Sequence, residues 1–517
     1  MSQDSPEEFG KWRSLLWPVH NYELKKILPM FLMFFCISFN YTILRDTKDT
    51  LIVTAAGSGA EAIPFIKFWC VVPAAIIFML IYSKLSNILN KEKLFYTALF
   101  PFIVFFAAFA LVLYPNREAL HPTTSADFLA SMLPVGFKGL IAIYRNWTYA
   151  TFFVLAELWG SVALSLLFWG FANDITRISE AKRFYHLFGL GANVALLFSG
   201  PAIVKVSNIR AKLPANVDAW GVSLNYLMTM VVCAGLIIIA TYWWINRNVL
   251  TDPRFYDSSA VKKSKGSKPK MSLGESLAFL AKSKYILCLA GIVISYGIAI
   301  NLVEISWKHQ LKLQFPNPND YSTFMGCFST LTGFTTILSI LFVARSCIRK
   351  GWGFAAMITP TVLAVTGMGF FSFVLFKQNL TGFIVMLGTT PLWLAVIFGA
   401  SQNILSKATK YSLFDPTKEM AYIPLDQESK VKGKAAIDVV GARLGKSGGS
   451  LIQQGLLIFL GSIGAIAPYV AIILLVVIAL WFVAVKSLNR QFVALTGTKD
   501  TEEKEPSVEA EPQAVTT

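Results

Sequence analysis

The chain has 517 residues, of which 55 % are hydrophobic and only 15 % charged, with a mean hydropathy of +0.56. Soluble domains run near about 45–50 % apolar and about 25 % charged, so this composition excludes an ordinary soluble enzyme and makes a bilayer the expected solvent. The net charge is +16, but Lys and Arg gather in short connections rather than along one face, so no nucleic acid partner is expected.

The N-terminal stretch Ser2 to Glu8 is acidic and polar. It shows neither a cleavable apolar segment nor an Arg/Ser-rich transit peptide, which fits a bacterial chain. Residues 1–26 are expected as a cytoplasmic segment. A helix needs about 20 apolar residues to cross the hydrocarbon core, and such runs occur from Leu28 to Leu44, Ile63 to Tyr82, Leu94 to Tyr114, Trp147 to Phe171, Phe184 to Val204 and Ser223 to Ile245. A second set follows from Tyr285 to Trp307, Thr323 to Ala344, Phe354 to Phe376, Phe383 to Leu405, Ala435 to Leu460 and Pro468 to Val485. The first is expected to continue as helix to about Ala55 despite its charges, and the eleventh is interrupted by Asp438, Arg443 and Lys446.

The fold class is therefore an all-α integral membrane protein with twelve transmembrane helices in two six-helix bundles, residues 27–245 and 283–486. Between them lies a basic linker, 246–282, holding Lys262, Lys263, Lys265, Lys268 and Lys270. This is the layout of the major facilitator architecture, in which substrate binds between the halves near the midplane. With the N-terminus inside, the inner connections hold 31 of the Lys and Arg residues and the outer ones 11, which places both termini in the cytoplasm. The Glu- and Pro-rich tail, 487–517, is expected to be disordered.

Ionisable residues inside spanning helices are expensive and are functional candidates by default. Glu157 lies about ten residues into its helix, near mid-membrane at about 1.5 Å per residue, and Lys446 is expected at a similar depth. Lys67 and Glu304 lie nearer the outer leaflet. On the first helix Arg45, Lys48 and Asp49 share a face by their spacing, with Asp46 beside them, and an internal ion-pair cluster is the bland reading. A lock between the bundles is the corresponding reading for Lys67, Glu157, Glu304 and Lys446. Lys and Arg facing a central cavity suit a polyanion such as a phosphate chain. The carboxylates would then orient a lysine, contact a base or ribose, or pair with a lysine when substrate leaves. Asn301, one turn before Glu304, is a candidate base or ribose contact.

Several look-alikes carry no chemistry. Gly441 to Ser447 imitates a P-loop, but Val440 stands where the motif needs its first glycine, and close helix packing explains the glycines better. Gly189-Leu190-Gly191 lacks the third glycine of a dinucleotide fingerprint. His186 and His309 stand alone, the six cysteines form no Cys-x-x-Cys pair, and no metal or cofactor is expected.

The stretch Phe39-Asn40-Tyr41-Thr42-Ile43-Leu44-Arg45-Asp46-Thr47-Lys48-Asp49 resembles the first helix of the ATP/ADP translocases of obligate intracellular bacteria and plastids, especially the chlamydial branch. Glu157-Leu158-Trp159-Gly160-Ser161, Asn301-Leu302-Val303-Glu304 and Lys410 to Pro416 are similar to further signatures of that family. The likeness covers roughly residues 20 to 495. It implies an antiporter in the bacterial inner membrane that takes in host ATP and releases ADP and phosphate, with two lysines and two glutamates falling on Lys67, Lys446, Glu157 and Glu304; a monomer is expected. That set favours exchange over a proton-coupled importer of several nucleotides. A membrane enzyme acting on phosphorylated substrates lacks a nucleophile and a metal set. The charge asymmetry makes one test immediate: cysteines introduced at Ser267 and Thr501 are expected to react with impermeant maleimide only from the cytoplasmic side, and periplasmic labelling at either would overturn the topology.

Overall fold

The computed structural model describes residues 19–176, 178–252, 255, 283–386, 388–426, 433–434, 437 and 441–502. Most of the basic linker and Asp438 lie outside these residues. The described chain is helical throughout, with no strand among its residues. The first half comprises α1 (Leu24–Thr54), α2 (Ala62–Ile88), α3 (Lys91–Leu113), α4 (Trp147–Ile175), α5 (Ile178–Ser207) and α6 (Ala219–Asn248). The second comprises α7 (Lys284–Gln314), α8 (Pro318–Arg349), α9 (Trp352–Leu375), α10 (Pro391–Thr409, continued through Lys410–Phe414 and Asp415–Ala421), α11 (Ala442–Leu460) and α12 (Ile463–Thr496).

Ten of these helices are long and apolar enough to cross a membrane; α10 and α11 are not. Among the described residues, length and composition alone thus support ten spans and leave the expected count of twelve unconfirmed. The other two positions are filled by more polar helices, α10 packed against α7 and α9, and α11 packed against α7. Large apolar side chains such as Leu80, Leu111, Phe342 and Phe459 stand exposed on the bundle surface, as lipid-facing residues do and core residues do not.

Local chemistry sets the boundaries. Asn90, Asp218, Ser283 and Asn317 cap α3, α6, α7 and α8 with side-chain oxygens, each satisfying one of the unpaired N–H groups of a helix start. The expected start of the tenth helix at Phe383 is incorrect. A separate short helix, Lys377–Met386, ends before Gly388, whose φ of +70° breaks the run. The Thr390 hydroxyl then accepts from the Trp393 N–H at 3.1 Å, and Pro391 opens α10.

Both expected ends of the domain scheme also need correction. Helix begins within the supposed N-terminal segment, at Leu24, because Lys26 is buried between Glu180 Oε2 at 2.6 Å and the Phe255 carbonyl at 3.0 Å. Residues 487–496 of the supposed disordered tail continue α12. There Leu488 is buried and Phe492 stacks on Trp352 with ring centroids 5.3 Å apart, so the apolar stripe outlasts the apolar run.

The halves meet at the end remote from the chain termini. Gly200 on α5 and Gly326 on α8 touch so closely that a Cβ on Gly326 would stand 2.8 Å from the Gly200 carbonyl oxygen. Ser207 donates to Ser322 at 2.8 Å, Asn319 donates to the Ser207 carbonyl at 3.0 Å, and Gln454 on α11 donates to the Pro64 carbonyl at 2.9 Å. Interfaces built on small residues and interhelical hydrogen bonds are what holds helices together in lipid, where apolar burial supplies no preference for a neighbouring helix over a lipid tail.

Of the glycines that imitated a P-loop, Gly445 lies on this kind of contact, whereas a Cβ on Gly441 would meet only ordinary van der Waals neighbours. Residues 442–460 form a helix, and a Cβ on Gly297 of α7 would stand 2.8 Å from the Gly445 Cα of α11. Gly191 faces Phe31, whereas Gly189 has open space. Gly297→Val is therefore expected to destabilise the protein by about 1–3 kcal/mol, read as a lower melting temperature in detergent. Gly189→Ala is the control expected to leave it unchanged or slightly raised.

Candidate functional site

The charged residues singled out by their depth come together around α1, α2, α4, α7 and α11. On α1, which runs unbroken past its charges to Thr54, Lys48 Nζ lies 2.9 Å from Asp49 Oδ1 and 3.0 Å from Glu157 Oε1 of α4. It also sits 3.8 Å from the centre of the Phe153 ring. The other oxygen of Asp49 meets Lys308 Nζ of α7 at 2.7 Å. Lys308 reaches one turn back to Glu304 Oε1 at 2.8 Å, and Glu304 Oε2 lies 3.5 Å from Lys67 Nζ on α2. A chain of alternating charges thus runs from Glu157 to Lys67 and crosses between the halves twice.

Lys67 also donates to Asn301 Oδ1 at 3.0 Å. The amide of Asn301 donates to the Gly297 carbonyl at 3.1 Å and to the Lys446 carbonyl at 3.3 Å. In this conformation Asn301 is thus engaged by Lys67 and by the backbones of α7 and α11. The close approach of Gly297 and Gly445 makes that reach possible. Lys446 itself is exposed, with no carboxylate within ion-pair distance among the described residues. It lies five residues into the described part of α11.

On α1 the ion pairs that form are between adjacent residues, Arg45 with Asp46 and Lys48 with Asp49, rather than between residues three or four apart. Arg45 Nε folds onto Asp46 Oδ1 at 2.9 Å, and its Nη2 donates to Ser329 Oγ of α8 at 2.7 Å; Ser329 in turn donates to Asp46 Oδ2 at 2.6 Å. Long, flexible cationic side chains allow adjacent residues to pair, and the remaining valences go to other helices. Most of the cluster is dry: Asp46, Lys48, Asp49 and Lys308 are each 3 % exposed or less. Burying such charges is tolerated only when every member is paired, because each ion taken from water costs several kcal/mol.

Two cations of this region were missed. Lys308 and Lys407 were counted with the loops, because the apolar runs ended at Trp307 and Leu405. Helix continues beyond both points, to Gln314 and Thr409. A signal existed in the spacing of Glu304 and Lys308, four residues apart on one helix. Of the isolated histidines, His309 is half-buried on α7.

A separate cavity of about 290 Å³ opens at the remote end, near Arg117, His121, Arg145 and Tyr149. Its arginines are already committed, Arg117 to Asp218 at 2.9 Å and Arg145 to Asp127. Burial, with Arg117 alongside, holds the His121 imidazole below its usual range, so this cavity lacks the free positive charge of the central cluster.

The chain matches the family described as TLC ATP/ADP transporter over residues 2–492. It is 64 % identical over 503 residues to ADP,ATP carrier protein 1 of Chlamydia trachomatis serovar D, covering 97 % of this chain and 95 % of the relative. It is 55 % identical over 500 residues to the chloroplastic ADP,ATP carrier protein 1 of Arabidopsis thaliana, covering 97 % and 78 %, and 43 % identical over 507 residues to ADP,ATP carrier protein 1 of Rickettsia prowazekii, covering 97 % and 100 %. Among solved structures, a bacterial homologue of the iron transporter ferroportin in an inward-facing state superposes with a TM-score of 0.52 at 11 % identity, covering 93 % of this chain and all of that one. An auto-inhibited POT family peptide transporter gives a TM-score of 0.52 at 11 % identity, covering 95 % and 99 %. These two likenesses show a transporter fold of the major-facilitator kind and nothing of substrate. Matched along almost its whole length, the chain belongs to the TLC ATP/ADP transporter family.

Proposed function

We propose that this protein is an antiporter that admits external ATP and releases internal ADP, with phosphate, by alternating access between its two halves. The observation that carries this is the placement of Lys67, Glu304 and Asn301 at the seam. Lys67 on the first half is held by a carboxylate and an amide of the second, and that amide also grips the backbone of Lys446. The carrier names borne by the relatives agree with it.

A phosphate chain entering this seam competes with Glu304 for Lys67 and meets Lys446. The cross-bundle tie loosens as the charge is satisfied. In this reading the phosphate groups are held by Lys67 and Lys446, with Arg45 and Lys48 behind them. Glu157, Glu304, Asp46 and Asp49 serve as counter-ions and gates, and Asn301 orients Lys67 and Lys446 and becomes available to ribose or base when the seam opens. Without nucleotide, reorientation has to carry uncompensated charge through a closing cavity, which desolvation opposes. The loaded protein is free of that cost, so transport is tied to exchange. ATP carries about one more negative charge than ADP, and moving one charge is worth about 2.3 kcal/mol per 100 mV; phosphate leaving with ADP balances it. The protein acts as a monomer in the bacterial inner membrane, with both termini in the cytoplasm.

The test is uptake of labelled ATP into proteoliposomes loaded with ADP, with ADP and phosphate, or with nothing. Uptake is expected to require internal ADP, with phosphate appearing outside. Comparable sustained uptake into empty vesicles, or uptake driven by an imposed pH gradient, would sink the exchange mechanism.

Three substitutions separate binding from latching. Lys67→Gln and Lys446→Gln are each expected to weaken ATP binding by about 1.5–3 kcal/mol, the worth of a charge-assisted hydrogen bond, with partial recovery in the Arg variants; titration calorimetry reads this directly. Lys308→Gln strips a buried partner from Asp49 and Glu304 and is expected to destabilise the empty protein by on the order of 3 kcal/mol, read as a fall in melting temperature before any ligand is added.

A further inference from the structure

The charges of the central cluster do not balance. Its four carboxylates, Asp46, Asp49, Glu157 and Glu304, each lie against a cation, and the cations engaged in this way are Arg45, Lys48, Lys67 and Lys308. Two further lysines face the same region. Lys446 is one; the other is Lys407, on α10, which has no carboxylate within ion-pair distance among the described residues. Its ammonium group sits over the ring of Phe328 on α8, 4.8 Å from the centroid.

Lys407 is not a peripheral charge. It is only half-buried, and it stands within Coulombic reach of Arg45 and Asp46 on α1 and of Glu304 and Lys308 on α7. Lys446 stands within reach of Glu157, Lys67, Lys410 and the same Glu304. The two unmatched ammonium groups therefore both lie within electrostatic reach of the same carboxylate, Glu304. Lys410, one turn beyond Lys407, is not in this position, because Asp415 pairs with it at 2.9 Å.

A purely structural role explains Lys407 poorly. A cation over a phenylalanine ring gains about 0.5–2 kcal/mol, but even partial burial of an ammonium group without a counter-ion works against that gain, and Arg45 and Lys308 add like-charge repulsion. Packing alone would be better served by a neutral side chain. What the site lacks is an anion.

We infer that Lys407 is a substrate-binding residue, which together with Lys446 receives the phosphate oxygens of a nucleoside di- or triphosphate in the cavity between the halves. The inference rests on the proposed nucleotide transport and extends its phosphate site to α10. Lys407 and Lys446 are the charges already available in the empty protein, whereas Lys67 and Lys48 must first release their carboxylates. They make the first contact with the polyphosphate.

The experiment measures ATP and ADP binding to the full-length protein in detergent, for wild type, Lys407→Gln and Lys407→Arg, alongside the melting temperature of each without nucleotide. Lys407→Gln is expected to raise the Kd for ATP about tenfold or more, the effect of one charge-assisted contact. Lys407→Arg should restore most of the affinity. The ligand-free melting temperature of Lys407→Gln should stay unchanged or rise, because an uncompensated charge has been removed. Wild-type affinity in Lys407→Gln, or a loss of affinity that Arg does not recover and that comes with a lower ligand-free melting temperature, overturns the assignment while leaving nucleotide transport intact. Failure of the wild-type protein to bind ATP or ADP overturns the nucleotide reading and this inference with it.

Discussion

The run of ion pairs from Glu157 through Lys48, Asp49, Lys308 and Glu304 to Lys67 is the constraint on which the rest of the molecule depends. Ions at this depth survive only as members of a satisfied set, so α1, α2, α4 and α7 must approach one another to within side-chain reach. That requirement explains features that look unrelated. The contact of Gly297 with Gly445 seats α11 close enough to α7 for Asn301 to bridge to Lys446. The pairing of Ser329 with Arg45 and Asp46 fixes α8 against α1. A bundle without these charges could pack more cheaply, but it would have no seam that an anion could open.

The same network separates strength from specificity. Its buried members are poor sources of net stability, since desolvation offsets most of their attraction. They specify instead which residues face which across the two halves. Stability comes from the small-residue contacts and hydrogen bonds at the remote end, where Gly200 meets Gly326 and Asn319 bridges to Ser207 and Ser223. The closed end and the charged centre are thus built from different interactions, and one can yield without the other.

Much of this was legible in the sequence. The division into two sets of helices follows from hydropathy, and the cost of charge in lipid singles out Lys67, Glu157 and Glu304 as candidates. The errors share one physical cause: apolar runs stop where a charge appears, but helices do not. Hydrogen bonding along the backbone is indifferent to the side chain outside it, so α7 continues past Lys308, α10 past Lys407 and α12 past Lys486. Two cations of the cluster were lost in this way, and a tail was read as disordered where helix continues. Which carboxylate each cation would choose was not legible at all, because that depends on the register between helices and not on spacing within one.

Three helices that bring charges to the site, α2, α4 and α10, share an irregularity that α1 and α7 lack. Wide π-type turns occur at Ile66–Val71 in α2, Gly160–Phe168 in α4 and Lys410–Phe414 in α10, placing Lys67 inside one, Glu157 three residues before another and Lys407 three before the third. A π turn accommodates an extra residue and shifts the angular phase of everything beyond it by about 100° relative to an unbroken α-helix. Each helix therefore presents two faces in series: one stretch is phased to the charged seam and the next to its neighbours in the bundle or to lipid. Sliding such a turn along its helix by a few residues would rotate a lysine about the helix axis with little translation. The halves could then exchange partners at the seam by torsion as well as by rocking.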